Sequence, residues 1–533
     1  MMRNNNGNND DDWSTVGAES VTTVGSSFVN VPEPTTHQPA LTMEATAQNA
    51  AVGFFSNQKT AKICVTIKAM IDELADTSRA PVDLMAVLDK SGSMAGDKLS
   101  DCKSTMEHVC KYLTSKDRLG LVSFSYNAVL EIPACFMTPE NKEMLKLKTK
   151  AIQAGGGTNL SGGLSLAAME MAQTEKPNQI RSIFLLTDGY ANSGIRNTGD
   201  LVTMVRNFNL DDLPAINEMA IEEGYGAAAE EEAASGQQVP PRIVVRNTKP
   251  VSLFCFGYGG SHNSEMLRSI SDATPGGAYY FVERDSDVST AFGDAMGGLL
   301  SVVGQSAYVH ISVPPEAKLQ GVKILKVHHK EAIKRSDTAY TVNVGDFYAE
   351  ESRDVLFEVQ LSTSAPTAEP VPHVRMTLNY MDTVNKKAAA FGPVECRIQR
   401  PPNDEVAAPN EHVEVQWLRI QTAQAIEDAD AQARGSNLSG ARSRLQSAMS
   451  LITASPVYSA DSPIIFAMQT DVQDVLNGFR SAEQYRSVGT HCAANKGAYM
   501  SKQRCMESRA STYNVFRSSK KAKMSMDFQQ TKK

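Results

Sequence analysis

The sequence is short of everything that would tie it to a disulfide scaffold or a membrane. Its eight cysteines (Cys64, Cys102, Cys110, Cys135, Cys255, Cys396, Cys492 and Cys505) are scattered, and no two stand as C-x-x-C. Ligand pairs of zinc-finger spacing are therefore absent, and the thiols read as reduced core or surface groups. No apolar run approaches the roughly 20 residues of a membrane span. The opening Met1-Met2-Arg3-Asn4-Asn5-Asn6 lacks the apolar stretch of a secretory leader, so a cytoplasmic setting is the expectation. Walker-A spacing is missing too, which excludes a coupled nucleotide-driven engine within the chain.

What is present is a soluble, globular composition, 41% hydrophobic and 21% charged over 533 residues, too long for one ordinary core. The net charge of −8 is unevenly spread. Asp211–Glu232 has two Asp, six Glu and no basic residue, whereas Arg486–Lys533 carries 11 basic and 2 acidic side chains. Such a basic tail can meet nucleic acid or an acidic protein patch, but no stacking-aromatic motif accompanies it, so a solvated or packed extension is favoured.

Residues 1–58 are polar and without period, which predicts a mostly disordered segment. Ile63, Val65 and Ile67 alternate as in a strand, assigned to 59–78. From 79 to 304 buried strands (Val82–Leu88, Arg118–Ser123, Ser182–Thr187, Pro250–Phe256, Ala278–Val282) alternate with helical spacings, as in a doubly wound, mostly parallel α/β sheet. An acidic insertion at 209–240 interrupts the rhythm. Between 305 and 400, five short alternating runs predict an antiparallel β-sandwich joined by the strand before the α/β unit. Pro401–Pro409 reads as a linker. Residues 410–482 then form a helical hairpin (Glu411–Ala433 and Leu438–Ile452, turning at Gly435-Ser436-Asn437) with a third helix at Pro463–Phe479. Residues 483–533 form the basic tail, expected to pack in part because of Tyr499, Met500, Tyr513, Val515 and Phe516.

Three pieces carry chemistry. Asp89-Lys90-Ser91-Gly92-Ser93 ends a buried strand, Gly155-Gly156-Gly157-Thr158 precedes a helix, and Thr187-Asp188-Gly189 ends the next buried strand. The carboxyl ends of parallel strands converge on one crevice, so two carboxylates and three hydroxyls are expected to meet there. An all-oxygen set suits Mg²⁺ or Mn²⁺. Ser91 and Ser93 are expected as direct ligands, Thr158 directly or through water, and Asp89 and Asp188 largely through water. An ion with few carboxylate ligands stays electron-poor and accepts a carboxylate from outside.

The D-x-S-x-S run, the distant Thr and the T-D-G strand end resemble the metal-ion-dependent adhesion site of von Willebrand factor type A domains, over roughly Pro81 to Val303. The text is similar to the branch shared with inter-alpha-trypsin inhibitor heavy chains and plant RING-finger proteins. The later region, with Trp417-Leu418-Arg419, resembles the accessory (vwaint) domain that accompanies the module elsewhere. Neither a RING, a U-box nor a Hint domain is visible. The resemblance implies a metal-dependent protein-binding module whose partner presents an Asp or Glu. It permits, as an alternative, a scaffold role in a ubiquitin-pathway or RNA–protein assembly in which the metal site goes unused. Metal-assisted hydrolysis lacks a base: His108 and His262 fall on a helix and a loop and read as surface or helix-face histidines.

Overall fold

The computed structural model describes residues 39–70, 79–209, 250–260, 262–283, 287–459, 462–503 and 517–530. The acidic stretch Asp211–Glu232 and the tail residues Tyr513, Val515 and Phe516 lie outside them.

Two antiparallel strands come first, β1 (Leu41–Ala47) and β2 (Thr60–Ala69), with Leu41 opposite Ala69 and Ala47 opposite Ile63. β1 falls within the stretch 1–58 expected to be mostly disordered, of which residues 39–58 are described and are ordered. That stretch is polar on average, yet buried Leu41 and Met43 alternate with Thr42 and Glu44, which is enough for one edge strand with a covered face. Asn49, Ala51 and Val52 then bridge to Pro409, Gln399 and Val406.

The chain next builds a six-stranded sheet: β3 (Val82–Asp89), β4 (Arg118–Phe124), β5 (Ala128–Phe136), β6 (Ile180–Thr187), β7 (Ser252–Tyr258) and β8 (Ala278–Val282). Their spatial order is 5-4-3-6-7-8, and every neighbouring pair is parallel except β4–β5. Alternate residues of β3 feed two cores. Leu84, Ala86 and Leu88 meet α1 (Asp97–Tyr112), α2 (Pro139–Ala151) and, further along the face, α6 (Val288–Leu299); Met85 and Val87 meet α3 (Leu160–Gln173), α4 (Thr198–Arg206) and α5 (Ser264–Asp272). Helices on both faces are why these strands read as continuous apolar runs. β3 and β6 are neighbours whose onward connections leave toward opposite edges, so their carboxyl ends flank the topological switch point, the usual ligand crevice of such sheets.

Two residues after α6, β9 (Val302–Ser312) opens the sandwich; α7 (Pro315–Leu319), β10 (Lys323–Val327), β11 (Ala332–Ser336), β12 (Ala339–Tyr348), β13 (Ser352–Gln360), β14 (Thr367–Asp382) and β15 (Lys387–Arg400) follow. One sheet runs β1-β2-β13-β10, the other β11-β12-β9-β14-β15. Ile63, Val65, Val309, Ile311, Val342, Phe357 and Met376 fill the space between. β1, β11 and β15 were not anticipated. All three are edge strands, half solvated, and their alternation is correspondingly faint.

Beyond the linker stand α8 (Glu411–Arg434), α9 (Leu438–Thr453) and α10 (Pro463–Gly478). The α8–α9 turn uses Ser436 at φ 65° and Asn437, whose side chain accepts from Gly440 N. Residues 483–533 are not simply a tail. α11 (Thr490–Lys502) places Ala493, Tyr499 and Met500 in the helical core, and α12 (Ser519–Gln530) lies along α6. Gly293 and Gly297 permit that approach: a Cβ at either would fall 2.5 Å from Ser525 Cα or 2.7 Å from Lys521 Cα.

Candidate metal centre

Asp89 is the last residue of β3 and has no solvent exposure. Its Oδ1 accepts from Ser91 N at 2.7 Å and its Oδ2 from Thr187 Oγ1, at the end of β6, at 2.6 Å. Burial nevertheless wins over these hydrogen bonds and pushes the carboxyl up to about 6, with nearby Asp188 adding to the rise.

Gly92–Met94 forms one tight turn anchored by buried Met94, which brings Ser93 back over the strand end. Ser91 Oγ and Ser93 Oγ lie 3.1 Å apart, and Ser93 Oγ donates to Asp188 Oδ1 at 2.7 Å. Asp188 is itself buried. The Gly155–Thr158 loop is stitched to the first: Gly92 N donates to Gly156 O and Gly155 N to Lys90 O, at 3.1 and 2.7 Å. Thr158 N donates to Asn192 Oδ1 at 2.8 Å. A carbon placed on Gly189 would sit 3.5 Å from Thr158 Oγ1 and 3.9 Å from Ser93 Oγ, so both hydroxyls face one small space beside Asp188. All five residues anticipated from the sequence come together. The donor set is entirely oxygen, with two carboxylates, and fits a hard divalent cation.

Three contributors were missed. Thr187 holds Asp89, Asn192 holds the Thr158 backbone, and the Lys98 ammonium forms an ion pair with Asp188 Oδ2. Thr187 stands inside the strand-end motif and Asn192 three residues past Gly189, but their roles depend on which way their side chains turn. Lys98, in the first turn of α1, carried no signal. The triple glycine also gains a reason: the Tyr126 ring occupies the space a Cβ on Gly157 would need, at 2.5 Å, and Gly156 has φ +88°. Tyr126 and Tyr190 are exposed on the loops that border the site.

The helix-face reading holds for His108 but the surface reading fails for His262. His108 is half-buried on α1 beside Phe528. His262 is buried, with Nε2 2.6 Å from Tyr279 Oη and its ring centroid 4.4 Å from that of His491 on α11. Burial, aided by His491, holds His262 down to about 3. The unfolded chain therefore takes up a proton near pH 6.5 that the folded chain refuses. Stability from this group is complete above about pH 6.5 and falls by roughly 1.4 kcal/mol per pH unit as the pH drops toward 3. Urea midpoints measured at pH 7 and pH 5 should differ by less in His262→Gln than in the parent; equal differences would refute the assignment.

Residues 83–294 match the family model of the von Willebrand factor type A domain. The E3 ubiquitin-protein ligase WAV3 of Arabidopsis thaliana is 25% identical over 303 residues, 57% of this chain and 34% of that protein, so the chain spans about a third of the relative's length. Inter-alpha-trypsin inhibitor heavy chain H4 of Bos taurus is 33% identical over 138 residues, 24% of this chain and 15% of that one. Among solved structures, a von Willebrand factor type A protein from Catenulispora acidiphila aligns with a TM-score of 0.58 at 16% identity, covering 86% of this chain and 97% of that one. The match shows a shared fold that extends past the central sheet.

Proposed function

Since residues 83–294 are a von Willebrand factor type A domain, we propose that the chain is a divalent-metal-dependent protein-binding protein. Asp89, Ser91, Ser93, Thr158 and Asp188 hold Mg²⁺ or Mn²⁺, and an Asp or Glu of the partner completes the coordination. The observation that carries this reading is a linked set of five oxygen-bearing residues: Asp89 holds Ser91 N, the Ser91 and Ser93 hydroxyls touch, Ser93 donates to Asp188, and the hydroxyls of Thr158 and Ser93 both approach Gly189. Charge supports it. With Lys98 paired to Asp188, the two carboxylates leave the site with one net negative charge. A divalent cation reverses the sign, and one carboxylate from outside restores neutrality. Exposed Tyr126 and Tyr190 supply the amphipathic rim that protein interfaces favour.

A cytoplasmic setting agrees with the seven described cysteines, all free thiols. No described helix is long and apolar enough to cross a membrane. The similarity to WAV3 supports a scaffold role in a ubiquitin-pathway assembly as a second reading. An RNA-binding tail is less supported, because Lys521 of the basic cluster is buried against Asp294. The chain is proposed to bind rather than to catalyse.

The test is capture of partners from a cell extract in Mg²⁺, elution with chelator, and measurement of the affinity of an isolated partner with and without metal. The reading expects affinity to vanish in chelator and return with Mg²⁺ or Mn²⁺. An isolated partner that binds equally well in excess chelator overturns it.

A further inference from the structure

A second group of ligand-type side chains lies where the sandwich meets the helical region. The odd residues of β2, Ile63, Val65 and Ile67, point into the sandwich. Its even residues Cys64 and Thr66 lie on the opposite face; Cys64 is covered by Val413, Trp417 and Ile420 of α8, and Thr66 meets His412 in its first turn. Beside them on β13 stands Asp354. Asp354 Oδ1 has three close neighbours: Thr66 Oγ1 at 2.6 Å, His412 Nε2 at 2.9 Å and Cys64 Sγ at 3.5 Å. Its other oxygen accepts from Gln503 Nε2 at 2.8 Å, and its backbone N donates to Gln503 Oε1 at 2.7 Å, which fixes how the carboxylate is presented.

We propose that Cys64, Asp354 and His412 form a site for a thiophilic divalent ion, Zn²⁺ above all, that clips α8 to the sandwich. One atom from each residue lies within 4.8 Å of the other two. Tetrahedral zinc, with bonds of about 2.0–2.3 Å, sets its ligand atoms roughly 3.4–3.6 Å apart. The sulfur–oxygen separation already has that value. The imidazole has to withdraw by about half an ångström, and His412, about half exposed, has the freedom to do so. Thr66 Oγ1 or a water fills the fourth position. A cavity of about 270 Å³ lined by Asp354, His412 and Gln416 gives solvent a route in.

The charges also suit the ion. Burial keeps the Cys64 thiol protonated, well above its ordinary range. As the S–Zn and N–Zn bonds form, the S–H bond of Cys64 and the Nε2–H bond that His412 directs at Asp354 break, and both protons leave to solvent. Thiolate and carboxylate then cancel the charge of Zn²⁺ within the ligand set, and the buried Arg419 guanidinium beside them favours both anionic ligands. Gln503 is a positioning residue for the carboxylate. Thiolate and imidazole select against Mg²⁺, so this site and the Asp89 site differ in the metals they take.

The experiment uses the reduced full-length chain in a large excess of Mg²⁺, titrated with Co²⁺ as a spectroscopic stand-in for zinc. One equivalent of Co²⁺ should give a near-ultraviolet sulfur-to-cobalt charge-transfer band with strong visible ligand-field absorption, and Zn²⁺ should displace it. The band should vanish in Cys64→Ser, and in His412→Gln the affinity should fall by about tenfold or more. Asp89→Ala should leave it unchanged, so failure here and failure of the Asp89 reading are told apart. Absence of the band in the parent chain, or a band undiminished in both Cys64→Ser and His412→Gln, overturns the proposal. His412→Gln alters a half-exposed side chain, so its result does not depend on how the core accepts a serine at 64.

Discussion

Asp89→Ala should abolish measurable Mg²⁺ or Mn²⁺ binding at the strand ends and, with it, every chelator-sensitive partner interaction. The carboxylate contributes negative charge and also holds Ser91 N and Thr187 Oγ1, and through Ser91 it sets the hydroxyl pair with Ser93. Removing a group that only orients metal ligands costs about 10–100-fold in metal affinity. Here the same substitution removes half the site's carboxylate charge, so the loss should lie at or beyond the upper end of that range. Isothermal titration with Mn²⁺, in parent and variant, measures it. Stability should change far less. The variant relieves a buried carboxyl that burial has pushed up to about 6, which offsets the two donors it leaves without their acceptor. A folded Asp89→Ala protein that binds Mn²⁺ within threefold of the parent would remove the basis for metal-dependent recognition.

Lys521→Ala should cost about 3 kcal/mol of folding stability, a large effect for a residue so near the end of the chain. Its ammonium is buried on α12, 3.1 Å from Asp294 Oδ2 on α6, and Asp294 has no solvent exposure. Tyr280 Oη donates to the same oxygen at 3.0 Å, and Arg517 Nε lies 3.5 Å from the other. Truncating Lys521 leaves a buried carboxylate with only the more distant guanidinium as countercharge. Urea denaturation of the single variant should show the loss, and Lys521→Met combined with Asp294→Leu should recover most of it, because that pair removes both charges and keeps apolar volume. A loss below about 1 kcal/mol for Lys521→Ala would mean that α12 is held by apolar packing of Met524 and Phe528 alone.

Both predictions concern residues whose sequence signals were very unequal. Asp89 belongs to a motif whose members are close in the chain or sit at strand ends, and a parallel sheet brings such ends together wherever the intervening helices run. Lys521 stood in a basic cluster that composition describes only as a solvated or packed extension, without naming a partner for any of its charges. Its burial depends on Asp294, 227 residues earlier, and on Gly293 and Gly297, which let the two helices touch. No local pattern encodes such a pairing. The same holds at Asp354, where β2, β13, α8 and Gln503 meet from four separate stretches.

The sequence by itself determined the central α/β sheet and the helical spacings after Pro409, and it named the five residues of the proposed oxygen site, because periodic apolar patterns and strand-end motifs are short-range information. Tertiary structure alone decided that residues 41–47 add an edge strand, that the partial packing expected of the basic segment takes the form of α11 and α12, and that Lys98, Thr187 and Asn192 surround the proposed oxygen site. The physical reason is common to all of these. Burial and charge pairing are properties of surfaces that meet only after folding, and a polar side chain has no preferred partner until desolvation makes leaving it unpaired expensive.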